Sequence, residues 1–494
     1  MHDKLPSELA VLTVAETYAA DQAAMRLRIH SLTLMEAAGA AVTAVITSGW
    51  SRQHVTVLCG PGNNGGDGYV VARLLHDAGW PVQVARYEGQ LAADAAVNAD
   101  RWHHTGGTVV PFGPAALDGA SLVVDALFGA GLKGPLDADV LTVLALIRTR
   151  NLPCIAVDLP SGIDGESGEI LGGEPNGAVQ CAATVTFFRA KPAHLLYPGR
   201  AYCGALTVAD IGVPARVLQE IRPLTVKNTP LLWTLPRPGW ADHKYTRGYA
   251  LIVGGAHMTG AARLAARAAR RVGAGLLALA VPETVVPIYA TSEPGCFVEP
   301  RGEGDVAGAL ADPRRNGVLI GPGCGIGEGT RAMVRQILAT DRPVVLDADA
   351  LTSFAAAPDE LFAMTRAHRG PCVLTPHPGE FARLFGPTEG GKLRSARAAA
   401  VRSGATVVFK GPDTVVATPD GLAAVASNAP AWLATGGSGD VLAGLILGLL
   451  VQGSDAWTAA TAGVWLQGAA ATHLGRGLVA EDLPEAIPRV LSSL

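Results

Sequence analysis

Short apolar runs ending in Gly, Asp or Pro alternate along most of this chain with Ala- and Leu-rich stretches, and no other feature constrains its fold as strongly. In the first half VTVLCG (55–60), PVQVARY (81–87), SLVVDALFG (121–129) and PCIAVDLPSG (153–162) read as strands, with YVVARLLHDAG (69–79) and VLTVLALIRTR (140–150) as helices between them. Strands apolar on both faces need helices on both sides, so the rhythm predicts an α/β fold with a mostly parallel sheet. Between about 212 and 247 the periodicity fades and Pro214, Pro223, Pro230, Pro236 and Pro238 accumulate, as at a domain junction. The rhythm restarts at YALIVGG (249–255) and continues through GVLIGPG (317–323), PVVLDADA (343–350), PCVLTPHP (371–378) and TVVFKGPD (406–413). Two α/β domains of different type are expected, residues 1–228 and 229–494.

Composition narrows the partners. With 39 Lys+Arg against 43 Asp+Glu and no basic block, the chain lacks the footprint of a nucleic-acid or anionic-membrane binder. Its seven cysteines are widely spaced without a CxxC pair, which suggests neither a zinc site nor a disulfide framework. The N-terminus has no basic-then-apolar profile of a secretion signal, and VLAGLILGLLV (441–451) falls short of the ~20 residues a bilayer requires. A cytoplasmic, homo-oligomeric protein acting on small molecules is expected, with no nucleic acid and no membrane among its partners.

In the first half, G60-P-G-N-N-G-G-D-G68 follows a strand and opens a helix; Gly60, Gly62 and Gly65 satisfy GxGxxG, and Glu88 follows near the end of the next strand. A Rossmann-like, three-layer domain fits this pattern. Tight strand-to-helix turns need glycine whether or not they bind anything, so the informative residues are Asn63, Asn64 and Asp67 among the glycines. Asp125 ends one further strand and is followed by Gly129, Gly131, Lys133 and Gly134; Asp158 ends another and is followed by Pro160, Ser161 and Gly162. A lone strand-end Asp can simply cap the next helix. Converging at the sheet's carboxyl edge, however, Asn64, Asp125 and Ser161 offer an all-oxygen set suited to a hard, monovalent cation.

GNNGGDG, DALFGAGLKG, VDLPSGID and the upstream LMEAAG (34–39) together resemble the NAD(P)H-hydrate epimerase family over about residues 10–215. The resemblance implies interconversion of the R and S forms of the C6 hydrate of NADH or NADPH. It implies substrate contacts by Asn63, Asn64, Gly65, Gly66 and Asp67, by Gly129, Ala130, Gly131, Leu132, Lys133, Gly134 and Pro135, and by Asp158, with K+ held by Asn64, Asp125 and Ser161. Exchange at a hydroxyl-bearing stereocentre needs an acid and a base or reversible loss of water; Asp158 is the candidate base and Lys133 a candidate for placing diphosphate or water. Lys191, beside Pro192 in FRAKPAHLLYPG, is a third candidate, although a lysine next to proline in a surface loop is more often just solvated.

In the second half, T435-G-G-S-G-D440 precedes the apolar run VLAGLILGLL. Free amides at a helix start bind anions, and glycines let a phosphate approach. Asp440 opposes a phosphate by charge, so an acid there is better explained as a base for a hydroxyl attacking that phosphate than as a residue favoured by the helix dipole. Lys410, followed by Gly411 and Thr414, ends a strand, and His377 sits between two prolines before Gly379 and Glu380. Neither a Walker A nor a protein-kinase signature is present.

GGSGD, HPGEF and FKGPDT together resemble the ribokinase-like superfamily, and with YALIVGGAHMTGAARLAARAARRVGAG, GPGCG and TGGSGDVLAG they resemble the ADP-dependent NAD(P)H-hydrate dehydratase family over about 232–490. The resemblance implies a ribokinase-like second domain in which Ala261, Gly323, His377 and Asp440 contact the hydrate, while Lys410, Gly411, Pro412, Asp413, Thr414 and Gly439 contact AMP. It implies phosphorylation of the C6 hydroxyl by ADP, then loss of phosphate, with Mg2+ carried on the nucleotide and Asp347 and Asp349 as outer members. Two rivals compete: a small-molecule kinase fused to a Rossmann dinucleotide-binding domain, and a non-catalytic sensor of the cofactor. GNNGGDG and the ADP-type fingerprint oppose the first, and Asp158 and Asp440, which pure binding does not need, oppose the second.

Overall fold

The computed structural model describes residues 5–494 and divides into two compact units, one running to Thr225 and the other Val226–Leu494. The sequence reading placed this division after residue 228.

In the first unit the strands are β1 (Val55–Cys59), β2 (Val82–Arg86), β3 (Thr108–Pro111), β4 (Leu122–Ala126), β5 (Cys154–Val157), β6 (Ala183–Phe187) and β7 (Ala205–Ala209). They form one sheet in the order β3-β2-β1-β4-β5-β6-β7, parallel throughout. Its longer helices are α1 (Val14–Arg26), α2 (Ser31–Gly49), α3 (Asn63–Asp77), α4 (Ala93–His104) and α5 (Ala138–Thr149). Two apolar clusters lie on the two faces, Val42, Val57, Tyr69 and Trp102 in one and Leu58, Val123, Leu144 and Ile147 in the other, which makes the three layers. By length and composition alone α2 could cross a bilayer; here it buries Leu34, Ala38, Val42 and Ile46 and comes so close to α3 that a Cβ on Gly39 would fall 2.4 Å from Val70. Strand order reverses between β1 and β4, and the loops that follow them form the crevice where such sheets take ligands.

The second unit carries a larger sheet, β8 (Thr225–Lys227), β9 (Tyr249–Val253), β10 (Leu276–Pro282), β11 (Phe297–Arg301), β12 (Gly317–Ile320), β13 (Val344–Leu346), β14 (Cys372–Leu374), β15 (Thr406–Phe409), β16 (Val415–Ala417) and β17 (Ala423–Val425). The order is β11-β10-β9-β12-β13-β14-β15-β16-β17-β8, with a parallel body from β11 to β15 and antiparallel pairs β15–β16 and β16–β17. Two helices matter most to its site: α6 (Thr259–Arg271) and α7 (Ser438–Val451). Every residue of α7 from Val441 to Val451 is buried, as expected of a helix apolar on all sides. It packs on α6 backbone to backbone, since a Cβ on Gly444 would stand 2.2 Å from the Ala265 carbonyl oxygen.

That contact fixes the position of the α7 start and of Asp440 on it. Gly444→Val is expected to cost about 1–3 kcal/mol through overpacking, measured by denaturant unfolding of the whole chain. Unchanged stability would mean that the two helices part without cost.

Candidate active sites

In the first unit the chain leaves β1 through Gly60-Pro61-Gly62 and enters α3 at Asn63, whose preceding residue is an extended glycine with no side-chain cap. The first amides of α3 therefore face the crevice without partners in the helix. A Cβ on Gly65 would lie 1.9 Å from the Gly60 carbonyl oxygen, so that glycine serves close packing of the turn. The loop after β4 brings Gly129 between Asn64 and Asp158: a Cβ there would lie 3.2 Å from Asn64 Oδ1 and 3.0 Å from Asp158 Oδ2. Three strand ends thus meet around a cavity of about 690 Å3. Its lining includes Asn63, Asn64, Asp67, the stretch from Gly129 to Lys133, and Asp158. Gly65, Gly66, Gly134 and Pro135 are outside that lining; Gly66 packs instead against Met35.

Asp158 sits in the left-handed region at φ 66°, turning its side chain back to the crevice just past β5. Its Oδ1 accepts hydrogen bonds from Lys191 Nζ (2.7 Å) and Thr186 Oγ1 (2.9 Å), and its Oδ2 from the Ala130 N–H (3.0 Å). Lys191 is not a solvated loop lysine: it is 2% exposed, and the chain after β6 folds it inward because Asp158 is there to pair with it. Burial alone would push the Asp158 carboxyl up, but the Lys191 ammonium and these hydrogen bonds hold it at about 2. His194 bonds the Asp158 carbonyl oxygen through Nε2 (2.8 Å) and accepts the Lys191 N–H at Nδ1 (2.9 Å), and burial lowers it to about 4, so the ring is neutral near pH 7. Lys133, by contrast, is exposed.

Besides Asp94, two further carboxyls reach the same cavity. Asp67 on α3 is buried, and burial reinforced by the charges of Asp158 and Asp21 raises it well above its ordinary value. Asp21 on α1, which sequence reading did not single out, is pushed up to about 6 by burial against the pull of Lys191. No motif marks Asp21; only the amphipathic spacing of α1 gives a hint of its direction.

Behind the cavity wall Asp125 and Ser161 are joined directly. Ser161 donates its hydroxyl to Asp125 Oδ1 (2.6 Å) and its N–H to Oδ2 (2.8 Å), and Ser161 Oγ accepts the Phe128 N–H (3.0 Å). Asn64, beside neighbouring Gly129, has a buried Nδ2 with no hydrogen-bond partner. Among the described residues no group of three or more His, Cys, Asp or Glu is arranged to hold a metal ion.

In the second unit the strand ends of β9, β12, β13, β14 and β15 contribute to the site. A Cβ on Gly323 would lie 2.6 Å from the Met258 carbonyl oxygen, and the Ala261 N–H bonds that same oxygen, so the loop after β12 meets the start of α6. His377 caps its helix by accepting the Gly379 N–H at Nδ1 (2.9 Å), while Glu380 Oε2 accepts the His377 N–H (2.9 Å). Lys410, at the end of β15, reaches Asp347 Oδ1 (2.8 Å) and lies 3.9 Å from Glu380 Oε2. Asp347 also accepts the Thr375 hydroxyl (2.7 Å), and Asp349 accepts the Gly325 N–H (2.8 Å). Beyond Lys410 the turn is closed by Thr414, whose hydroxyl donates to the Gly411 carbonyl (2.8 Å), and Asp413 pairs with Lys392. Gly439 abuts the ammonium, since a Cβ there would lie 3.4 Å from Lys410 Nζ. Asp440, in the first turn of α7, is raised to about 7 by burial and the Asp347 charge, with Lys410 pulling the other way.

Two α/β units, each gathering acids around a lysine paired with a strand-end aspartate where glycine turns meet the carboxyl ends of parallel strands, define a two-site enzyme of nucleotide chemistry. Residues 31–193 match the family described as YjeF-related protein N-terminus, and residues 250–490 match that described as NAD(P)H-hydrate dehydratase. The bifunctional NAD(P)H-hydrate repair enzyme of Moorella thermoacetica is 36% identical, covering 98% of this chain and 97% of its own; that of Escherichia coli is 35% identical, covering 93% and 89%. A solved structure, the ADP/ATP-dependent NAD(P)H-hydrate dehydratase of Bacillus subtilis, is 34% identical over 53% of this chain and 94% of that one, with a TM-score of 0.48. The chain belongs to the family of bifunctional NAD(P)H-hydrate repair enzymes.

The Asp158–Lys191 pair yields a direct expectation. Asp158 at about 2 when folded, against 3.8 unfolded, contributes stability that is present above pH 3.8 and lost as pH falls through 2. Lys191→Met leaves burial opposed only by the remaining hydrogen bonds, so the carboxyl moves up and acid destabilisation begins at a higher pH, with a cost of about 3–5 kcal/mol near neutrality. Melting temperature followed from pH 3 to 8 measures this; coincident wild-type and variant curves would contradict it.

Proposed function

We propose that the second unit dehydrates the S form of hydrated NADH or NADPH with ADP, and that the first unit interconverts the R and S hydrates so that both are repaired. The observation that carries the first half is Asp440, an acid at an anion-binding helix start, poised near 7 under the influence of the Lys410–Asp347 pair. In the ground state the hydrate's C6 hydroxyl lies against Asp440, with Ala261, Gly323 and His377 forming the rest of its bed. Lys410 to Thr414 and Gly439 hold the nucleotide.

Asp440 takes the hydroxyl proton as the C6 oxygen bonds the β-phosphorus of ADP and AMP departs. Water is a poor leaving group and phosphate a better one. The C6–O bond then breaks with its electron pair on phosphate, assisted by the ring N1 lone pair, and the ring cation loses its C5 proton to the departing phosphate. The acids Asp347 and Asp349 beside an anion-binding turn suit a magnesium–nucleotide complex, and the ion would offset phosphate charge.

In the first unit Asp158 is the base, kept ionised by Lys191, and Lys133 at the cavity mouth contacts the diphosphate. K+ is assigned beside Asn64, Asp125 and Ser161, because one carboxylate with the neutral side-chain oxygens of Ser161 and Asn64 suits a monovalent ion.

The whole chain, incubated with mixed R and S hydrates of NADH plus ADP, is expected to restore dihydronicotinamide absorbance completely. Recovery of the S share alone would remove the epimerase, and no recovery with ADP or ATP would overturn the whole reading. Because Asp440 must be ionised, kcat/KM for dehydration rises with pH through about 7 and then levels. Asp440→Asn lowers dehydration by about 10²–10⁴-fold, with epimerisation intact; loss of both in a folded variant would contradict two separate sites. For K+, melting temperature is expected to rise with KCl beyond choline chloride at equal ionic strength, by about 2.7 kcal/mol of stability at 100 times the dissociation constant. Identical curves in the two salts would remove the cation site.

A further inference from the structure

We propose that Asp67 and Asp158 are the acid–base pair of the epimerisation, Asp67 protonating the departing C6 hydroxyl and Asp158 deprotonating the water that re-adds on the opposite face. The proposal rests on the epimerase reading of the first unit and assigns the acid that reading leaves open.

The argument starts from a charge count in the cavity. Asp21, Asp67, Asp94 and Asp158 line it with only two cations, Lys133 and Lys191. Lys133 is exposed at the mouth, and Lys191 is committed to Asp158. Asp67, buried at 9% exposure, has neither a hydrogen bond nor an ion pair among the described residues, although it lies only one helical turn beyond Asn63 and Asn64. A carboxyl buried next to another carboxylate, without a cation of its own, keeps its proton; burial and the Asp158 and Asp21 charges all act in that direction. Asp158 has the opposite surroundings: an ammonium, a hydroxyl and a backbone N–H all directed at its oxygens. Two carboxyls in one cavity, one held neutral and one ionised, are the arrangement that acid–base chemistry needs. Of the remaining groups, Tyr18 is largely exposed and His194 is turned to backbone atoms.

The step balances without a further reactant. The C6–O bond breaks with its electron pair on oxygen, which takes the Asp67 proton and leaves as water, while the N1 lone pair makes the ring cation. Water then bonds C6 from the other face. Attached to that cation it is a strong acid, so even a carboxylate as weakly basic as Asp158 accepts its proton. Asp67 ends ionised and Asp158 protonated, and the reverse epimerisation uses the pair in the opposite sense. Cavity water and Asp21, half-exposed on the same lining, return the proton between turnovers.

The test uses the full chain and the purified R hydrate of NADH without ADP, in water enriched in oxygen-18. Wild type is expected to yield the S hydrate with label at C6, at a rate that declines as pH rises through the Asp67 ionisation. Asp67→Asn lowers kcat by about 10²-fold or more, leaves KM within a few-fold, and its residual rate lacks that high-pH decline. Asp67→Glu restores part of the rate. A wild-type chain that does not epimerise overturns the epimerase reading itself. Epimerisation by wild type with Asp67→Asn at an undiminished kcat, with no gain in Asp67→Glu over Asp67→Asn, or without uptake of label overturns the pair.

Discussion

In each unit one lysine ammonium, Lys191 or Lys410, lies among several carboxyls, and the rest of the two sites depends on which carboxyl it chooses. Lys191 pairs with Asp158 while Asp21 and Asp67 share the cavity, and Lys410 pairs with Asp347 while Glu380 and Asp440 stand nearby. The chosen partner is a strand-end aspartate each time, after β5 in one sheet and after β13 in the other. Once the lysine is committed, the remaining acids are left in a poorly solvated space with only a more distant share of its charge, and their affinity for protons rises. A buried pair of this kind adds little net stability, because desolvation offsets most of the attraction. What it supplies is a division of protonation states among like groups.

The parallel sheet makes this arrangement possible. Every strand of the parallel body delivers its last residue to one edge, so acids remote in sequence, such as Asp125 and Asp158, come under one another's influence, and Asp347 acts on Asp440 at the start of α7. Glycine turns clear the space: Gly129 lies where a side chain would fill the gap between Asn64 and Asp158, and Gly439 lies against Lys410. Helix starts at Asn63 and at Ser438 add unpaired amides on the same edge. Both halves therefore solve the problem of binding a phosphate-bearing substrate while keeping an acid inside the site.

Much of this was legible in the sequence. Strand-then-glycine punctuation located β1, β4, β5, β9 and β12 to β15, because strands buried on both faces are continuous apolar runs. Shorter or half-exposed strands were not singled out: β3 has exposed ends, β7 is largely exposed, and β6 buries Thr184 and Thr186 where an apolar run would have been conspicuous. At the sites, acids embedded in glycine motifs were visible, and Asn64, Asp67, Asp125, Asp158, Ser161 and Asp440 were all singled out. Lys191 ranked only third among the candidates, behind Asp158 and Lys133, since nothing local in AKPAH shows that Asp158 waits 2.7 Å away. Asp21 was missed for the same reason: it stands in an ordinary helix, and its meaning comes from a cavity assembled by other elements. Burial and charge balance are properties of the assembled site, and no local motif encodes them.

The central claim is that neighbouring carboxyls are held in different protonation states by one lysine each. Carbon-13 NMR titration of the whole chain with labelled aspartate carboxyls, assigned through single Asp→Asn variants, reads those states directly. The account predicts that Asp158 stays ionised down to about pH 2, that Asp440 titrates near 7, and that Asp67 remains protonated well above the ordinary range. Titration of all three together near 4 would contradict it.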